Sequence, residues 1–224
     1  MRKIVQGIRH FQTCVFRQQR ELFEMLARKQ QNPLALFITC ADSRIHPNLI
    51  TSTEPGELFL LRNAGNIVPP HGAANGGEGA TIEYAVSVLK VRNLIVCGHY
   101  GCGAMAAMLR PESATHLPAV QAWFSHAEAT RRILRERYSH LSPEAQHDLA
   151  TELNVLVQID NIRTHPSVAA ALATGELNLY GWVYRIETGE ILAYDPTVRK
   201  FQPLCDSEPP PYPAIAPVAC VPAS

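Results

Sequence analysis

Apolar residues recur along this chain with two periods, and the alternation between them lays out the fold. Ile4, Ile8, Phe11, Val15, Leu22 and Leu26 fall three or four residues apart, interrupted by the polar Gln18-Gln19-Arg20, which predicts one or two amphipathic helices over 4–30. From Leu34 to Thr39 the residues are instead continuously apolar or β-branched, entered through Asn32-Pro33, as in a strand covered on both faces of a parallel sheet. Leu58 to Leu61, after the turn Glu54-Pro55-Gly56-Glu57, and Asn93 to Cys97 repeat that pattern. Helical periods are expected over Ala80 to Lys90, Ala104 to Leu109, Ala119 to Tyr138, Pro143 to Ile162 and Ser167 to Ala173. In the fourth of these Leu149, Leu153, Leu156 and Val157 are read as the apolar positions, with Asp160 along the same helix. Leu177 to Ile186 alternates, turns at Thr188-Gly189-Glu190 and returns over Ile191 to Tyr194, a hairpin for the sheet's edge.

The fold class expected is therefore α/β, a mostly parallel central sheet flanked by helices with an antiparallel edge strand or hairpin. Three segments are read: an N-terminal helical arm over 1–32, a folded domain over 33–202, and a proline-rich tail over 203–224 with too little apolar surface to pack alone.

Charge narrows the partners. Twenty Lys and Arg balance twenty Asp and Glu with no run of one sign, so neither nucleic acid nor an anionic membrane is expected, and a small substrate is. The apolar runs are strand-sized, short of the ~20 residues a membrane span needs, and the start of the chain lacks the apolar core of a secretory signal. A cytoplasmic location is expected, where the six cysteines read as metal ligands, catalytic groups or core thiols rather than disulfides.

Chemistry gathers where the strands end. Cys40, Asp42 and Arg44 follow the first, Arg62-Asn63-Ala64-Gly65-Asn66 the second, and Gly98-His99-Tyr100-Gly101-Cys102-Gly103 the third. Carboxyl ends of parallel strands are where open α/β sheets bind ligands. Cys40, His99 and Cys102 supply the thiolate and imidazole set of a zinc site with its fourth position open. Singly each has an ordinary reading, a small buried thiol or a loop histidine; two such strand ends together favour the metal. Asp42 and Arg44, two apart in an extended segment, are placed to pair, and beside a metal the arginine would decide whether the carboxylate ligates or accepts a hydrogen bond. Cys97, inside the third strand, reads as core. Cys14, Cys205 and Cys220 lack ligating neighbours, though Cys205 and Cys220 are a candidate pair under oxidation. Gly76-Gly77-Glu78-Gly79 lacks the ending of a phosphate loop and reads as a packing turn.

These motifs, with Glu83-Tyr84-Ala85, Asn154-Val155 and Gly181-Trp182, resemble the β-class carbonic anhydrases over Leu34 to Asp195. The wording of Arg62 to Asn66 and Gly72 to Ala80 is similar to the cyanobacterial, carboxysome-associated branch and its bacterial relatives. The resemblance implies one zinc ion per chain on Cys40, His99 and Cys102, with Asp42 and Arg44 as the catalytic dyad. It implies hydration of carbon dioxide to bicarbonate and a proton by zinc-bound hydroxide, Asp42 accepting the hydroxide's hydrogen bond. It also implies a homodimer or higher homo-oligomer whose N-terminal helices pack on the partner subunit. Two thiolates neutralise the ion's charge, so activity is expected to rise above neutral pH. Family members with an allosteric bicarbonate site carry tryptophan three residues before the first cysteine ligand; Phe37 stands here, so no such regulation is expected despite Arg62 and Tyr184. Ala73 or Asn75 stands where plant-like members place a substrate-contacting glutamine. The shortened C-terminal region gives no support for carboxysome association. Two other readings are a carbonyl sulfide or carbon disulfide hydrolase on the same site, and a non-catalytic zinc-stabilised scaffold, against which the intact Asp42 and Arg44 argue. A thiol redox protein is disfavoured, because no Cys-x-x-Cys occurs.

Overall fold

A computed structural model describes residues 1–74, 76–205 and 207–213. Asn75 and Cys220, and with Cys220 the candidate Cys205 bridge and the last part of the tail, lie outside the described residues. The chain divides into two compact units, Met1–Asn32 and Pro33–Ser224.

In the first unit, α1 (Arg2–His10) passes through a widened π turn at Phe11–Val15 into a last helical turn, Phe16–Gln18. It breaks at Gln19 before α2 (Arg20–Arg28). The break falls on the polar triplet that interrupts the apolar period. Phe11, Phe16 and Phe23 meet across it with ring centroids 5.5 to 6.1 Å apart, an aromatic cluster that fixes the bend. Ile4, Val5 and Ile8 remain exposed.

The second unit is built on a six-stranded sheet. Strands β1 (Ala35–Cys40), β2 (Leu58–Asn63), β3 (Asn93–His99) and β4 (Asn178–Tyr184) run parallel, and β5 (Ile191–Asp195) and β6 (Lys200–Pro203) add antiparallel, in the order β2-β1-β3-β4-β5-β6. The parallel sheet and antiparallel edge match the fold class read from the pattern. β6 was not among the expected elements, since Lys200-Phe201-Gln202-Pro203 is too short and polar to stand out. Every residue of β1 is buried, which is why that strand reads as an unbroken apolar run. Register aligns Cys40 with Asn63 and Thr39 with Cys97, while β3 continues two residues further to His99, so the polar ends of three strands share one edge of the sheet.

The helices are α3 (Pro47–Thr51), α4 (Gly77–Glu83, extended by a π turn, Tyr84–Val88), α5 (Gly103–Leu109), α6 (Pro118–Phe124), α7 (Glu128–Arg137), α8 (Pro143–Arg163) and α9 (Pro166–Ala173). The single helix expected over 119–138 is two, parted by a tight turn at Ser125–Ala127. The short α3 was not anticipated; His46 caps it by accepting from the Leu49 N–H, and Pro47 opens it.

α8 is the element that matters for the site. Ser142 caps it, accepting from the Ala145 N–H at 3.2 Å. It lies against β3 and β4 at a distance only glycine permits: a Cβ on Gly98 would come within 2.9 Å of Val155 Cγ2, and one on Gly181 within 2.9 Å of Val155 Cγ1. Its buried face is Ala150, Thr151, Asn154, Val155, Gln158, Ile159 and Ile162. Leu149, Leu153, Leu156 and Val157, the apolar positions read along this helix, are only half buried. Polar side chains face in because they bond backbone groups there, as described below.

The main core lies between the sheet and its helices, around Leu36, Ile38, Leu94, Val96, Leu179 and Val183. A smaller cluster on the opposite face holds Phe37, Ile95, Cys97 and Tyr180. Cys97 is thus core, and burial pushes its thiol up to about 12. After β6 the described residues as far as Pro213 are tied to the domain at intervals. The Leu204 N–H donates to Ile191 O at 2.8 Å, Tyr180 Oη donates to Glu208 at 2.7 Å, and the Tyr212 N–H donates to Leu179 O at 2.7 Å. Among the described residues no helix is long and apolar enough to cross a membrane.

Candidate metal centre

At the shared edge of β1 and β3 the structure brings together Cys40, His99 and Cys102, their ligating atoms all within 4.8 Å of one another. The two sulfurs are 3.9 Å apart, far beyond the ~2.05 Å of a disulfide. His99 Nδ1 lies 3.0 Å from Tyr100 O. A carbonyl only accepts, so Nδ1 carries the proton and Nε2 presents a lone pair toward the sulfurs. That Nε2 is buried and has no hydrogen-bond partner among the described residues. An orphaned imidazole nitrogen beside two buried thiols is costly unless something electropositive meets it. Soft sulfur and imidazole donors with one side open fit a zinc ion.

Electrostatics agree. The Cys102 thiol donating toward Cys40 holds the Cys40 thiol well below its ordinary value, helped by the Gly65 N–H, while the same bond holds Cys102 above its own. One of the pair is thus readily a thiolate, and a second positive partner is needed to ionise both.

Asp42 stands at the open side, its Oδ2 3.8 Å from His99 Nε2. Arg44 grips it bidentately, Nε to Oδ1 at 3.0 Å and Nη2 to Oδ2 at 2.7 Å, and the Arg44 N–H also donates to Oδ1 at 3.0 Å. The expected pair forms, but across a turn closed by the Ile45 N–H donating to Asp42 O at 3.0 Å rather than in an extended segment. The guanidinium keeps Asp42 below the usual carboxylate range. Arg62 fixes the loop from β2: Nε and Nη2 donate to Cys40 O at 3.1 and 3.0 Å, and Nη2 to Asp42 O at 2.8 Å.

Several residues take roles at the site that the sequence did not assign to them. The Gly65 N–H donates to Cys40 Sγ at 3.4 Å, from a backbone at φ 79° where glycine is favoured. His147 Nε2 donates to Cys102 O at 2.8 Å, and Trp123 Nε1 to Ala64 O at 2.8 Å. Asn154 Nδ2 donates to Gly65 O at 3.0 Å. The signal that could have found the α8 residues is the helical spacing of His147, Thr151, Asn154, Gln158 and Asn161, a polar stripe on a helix expected to be buried.

Compared with known proteins, residues 35–191 match the carbonic anhydrase family. The chain is 48% identical to a carbonic anhydrase of Synechocystis sp. over 202 residues, 90% of this chain and 73% of that one. The solved structure of the β-carbonic anhydrase CcaA aligns with TM-score 0.89 and 47% identity, covering 92% of each chain. A structure from work on two tetrameric β-carbonic anhydrases of Sordaria macrospora aligns with TM-score 0.75 and 28% identity over 86% of this chain and 95% of that one.

Proposed function

The chain belongs to the β-carbonic anhydrase family and is an enzyme of that class, and on that premise we propose that it hydrates carbon dioxide reversibly to bicarbonate and a proton, with one zinc ion held by Cys40, His99 and Cys102. The observation that carries the reading is the buried, unpartnered Nε2 of His99 facing two sulfurs at one strand edge. When bound, zinc supplies the Lewis acidity that lets water act as a nucleophile near neutral pH. Asp42 is the catalytic acceptor: ionised and held at the open side, it takes the hydrogen bond of the attacking water and turns a lone pair toward the carbon of carbon dioxide. Arg44 is its catalytic partner, occupying both carboxylate oxygens so that Asp42 orients water instead of ligating the ion. Arg62 holds the Cys40 and Asp42 carbonyls, so ligand and acceptor keep one spacing.

The working protein is proposed to be a cytoplasmic homodimer or larger homo-oligomer, with the catalytic unit over 33–202, the helical arm over 1–32 and the tail over 203–224. The exposed apolar side chains Ile4, Val5 and Ile8 on α1, Leu60 on β2, and Tyr84 and Val88 after α4 support association. Stopped-flow carbon dioxide hydration, with zinc content measured on wild type and Cys40→Ser, tests the function. Wild type is expected to carry one zinc and to be active, and the variant to lose both. Stoichiometric zinc without hydration would reverse the reading in favour of a scaffold, and wild type that binds no zinc would remove its basis.

A further inference from the structure

One face of α8 reaches the backbone around all three donors. His147 donates to Cys102 O at 2.8 Å, Thr151 Oγ1 to His99 O at 3.4 Å, and Asn154 Nδ2 to Gly65 O at 3.0 Å, with the Gly65 N–H on Cys40 Sγ at 3.4 Å. These residues follow one another at four and three positions, the spacing of a single helical face. The stripe continues beyond the site: Gln158 Nε2 donates to Asn154 Oδ1 at 2.9 Å and Gln158 Oε1 accepts from the Val68 N–H at 2.8 Å, while Asn161 Nδ2 donates to Val68 O at 2.9 Å. Asn154 and Gln158 are essentially fully buried, so each unmet amide group would be costly.

We infer that α8 is the template that sets the donor positions, and that Asn154 is a positioning residue for the Cys40 sulfur, acting through the backbone of Gly65. The two peptide groups that meet at the Gly65 Cα are each held by a side chain. Trp123 Nε1 donates to Ala64 O, the carbonyl of the peptide whose N–H meets sulfur, and Asn154 holds Gly65 O, the carbonyl of the next. Gln158 fixes the amide of Asn154 so that its N–H faces Gly65, and the φ and ψ of Gly65 are thereby set with its N–H aimed at sulfur. A Cβ at Gly65 would also meet Ala104 Cβ and Met105 Cε at 3.1 Å, so the residue sits in a narrow slot. An N–H on a thiolate lowers the energy of the sulfur lone pair and restrains its direction, so it tunes both how firmly the ligand holds a metal and how much charge it donates. The inference rests on the metal reading proposed above.

The test replaces zinc by cobalt(II) and follows the sulfur-to-cobalt charge-transfer band, together with the rate at which a chelator removes zinc. Asn154→Leu is expected to shift the band to lower energy, because the sulfur loses its donor, and to speed zinc release by about 10- to 100-fold, the usual scale for an outer partner of a metal ligand. Asn161→Ala removes the bonds to Val68 O and to Gln158 Oε1 at 3.2 Å but leaves Gln158 held by the Val68 N–H and by Asn154, and is expected to leave band and release rate at wild-type values. Should Asn154→Leu not fold, Asn154→Asp, which keeps the shape but turns an acceptor toward Gly65 O, is used with the same expectations. A band and release rate unchanged in the Asn154 variant, or moved equally by Asn161→Ala, would overturn the inference while leaving the metal reading intact. Wild type that takes up neither zinc nor cobalt would overturn both.

Discussion

Asp42 Oδ2 lies 2.7 Å from Arg44 Nη2 and 3.8 Å from His99 Nε2, so one carboxylate oxygen faces the donor set while a guanidinium holds it back. The distinction between those distances is chemical. The first is a charge-assisted hydrogen bond and the second is not a bond at all. Asp42 is therefore near enough to direct a molecule at the open position without occupying it.

Arg44→Gln is expected to abolish that restraint and lower kcat by about 10- to 100-fold in stopped-flow hydration; Arg44→Lys, which offers a point charge in place of the fork, should not restore it. The variant should also alter the acid limb of the stability curve. Bonding to Arg44 depresses the carboxyl of folded Asp42, so its stabilisation is present above the unfolded carboxylate value of about 4 and is lost as pH falls through the folded value. Melting temperatures of wild type and variant should hence differ most above pH 4 and converge below it; a constant difference would contradict the assignment.

Removing the metal should leave two unequal thiols. Cys40 is held low by the Cys102 thiol, Cys102 is held high by the same bond, and burial pushes Cys97 up to about 12. In chelator-treated protein, iodoacetamide at pH 6 to 7 is expected to label Cys40 first and Cys97 not at all, read by peptide mass spectrometry. Zinc added back beforehand should protect Cys40. Faster labelling of Cys102 than of Cys40 would reverse the order assigned to the pair.

Gly98→Ala and Gly181→Ala each place a methyl 2.9 Å from a Val155 methyl. Overpacking of this kind costs about 1–3 kcal/mol, measurable as a fall in the denaturation midpoint. Because α8 must move, zinc release should quicken as well. Combining either substitution with Val155→Ala should recover part of the loss, whereas purely additive destabilisation would argue against this contact as the cause.

Strongly alkaline solution should loosen the C-terminal segment. Tyr180, buried and bonded to Glu208, and Tyr212, half-buried near Asp160, are both pushed up to about 12, against about 10 in an unfolded chain. Below pH 10 both states keep these protons. Between 10 and 12 only the folded state does, so the stabilisation is lost as pH rises through the folded value. Thermal melts from pH 9 to 12 should show that decline, and Glu208→Gln should diminish it by easing the ionisation of Tyr180. A Glu208→Gln profile identical to wild type would refute the Tyr180 contribution.

What could be read from the residues alone was whatever depends on neighbours along the chain. The unbroken apolar run of β1, the alternation of β4 and β5, and the polar groups following Thr39 and Gly98 are local, and parallel pairing alone then suffices to bring Cys40 toward His99. The order Cys40-Ala41-Asp42-Ser43-Arg44 likewise contained the Asp42 and Arg44 pair, although the turn that closes it was misread as extended.

Tertiary structure decided which face of α8 turns inward. By hydropathy Leu149 and Leu153 should outrank Asn154 and Gln158. Yet the loop from Ala64 to Val68 has backbone groups without strand or helix partners, and leaving them unmet in the interior costs more than burying two amides that can satisfy them. That balance depends on a loop some ninety residues earlier in the chain, so no local period can express it. The same holds for Gly98 and Gly181, whose missing side chains make sense only once Val155 is packed against them. The donors were legible because chemistry marks residue types; what holds them at one spacing was not, because it lies in contacts that exist only when the chain is folded.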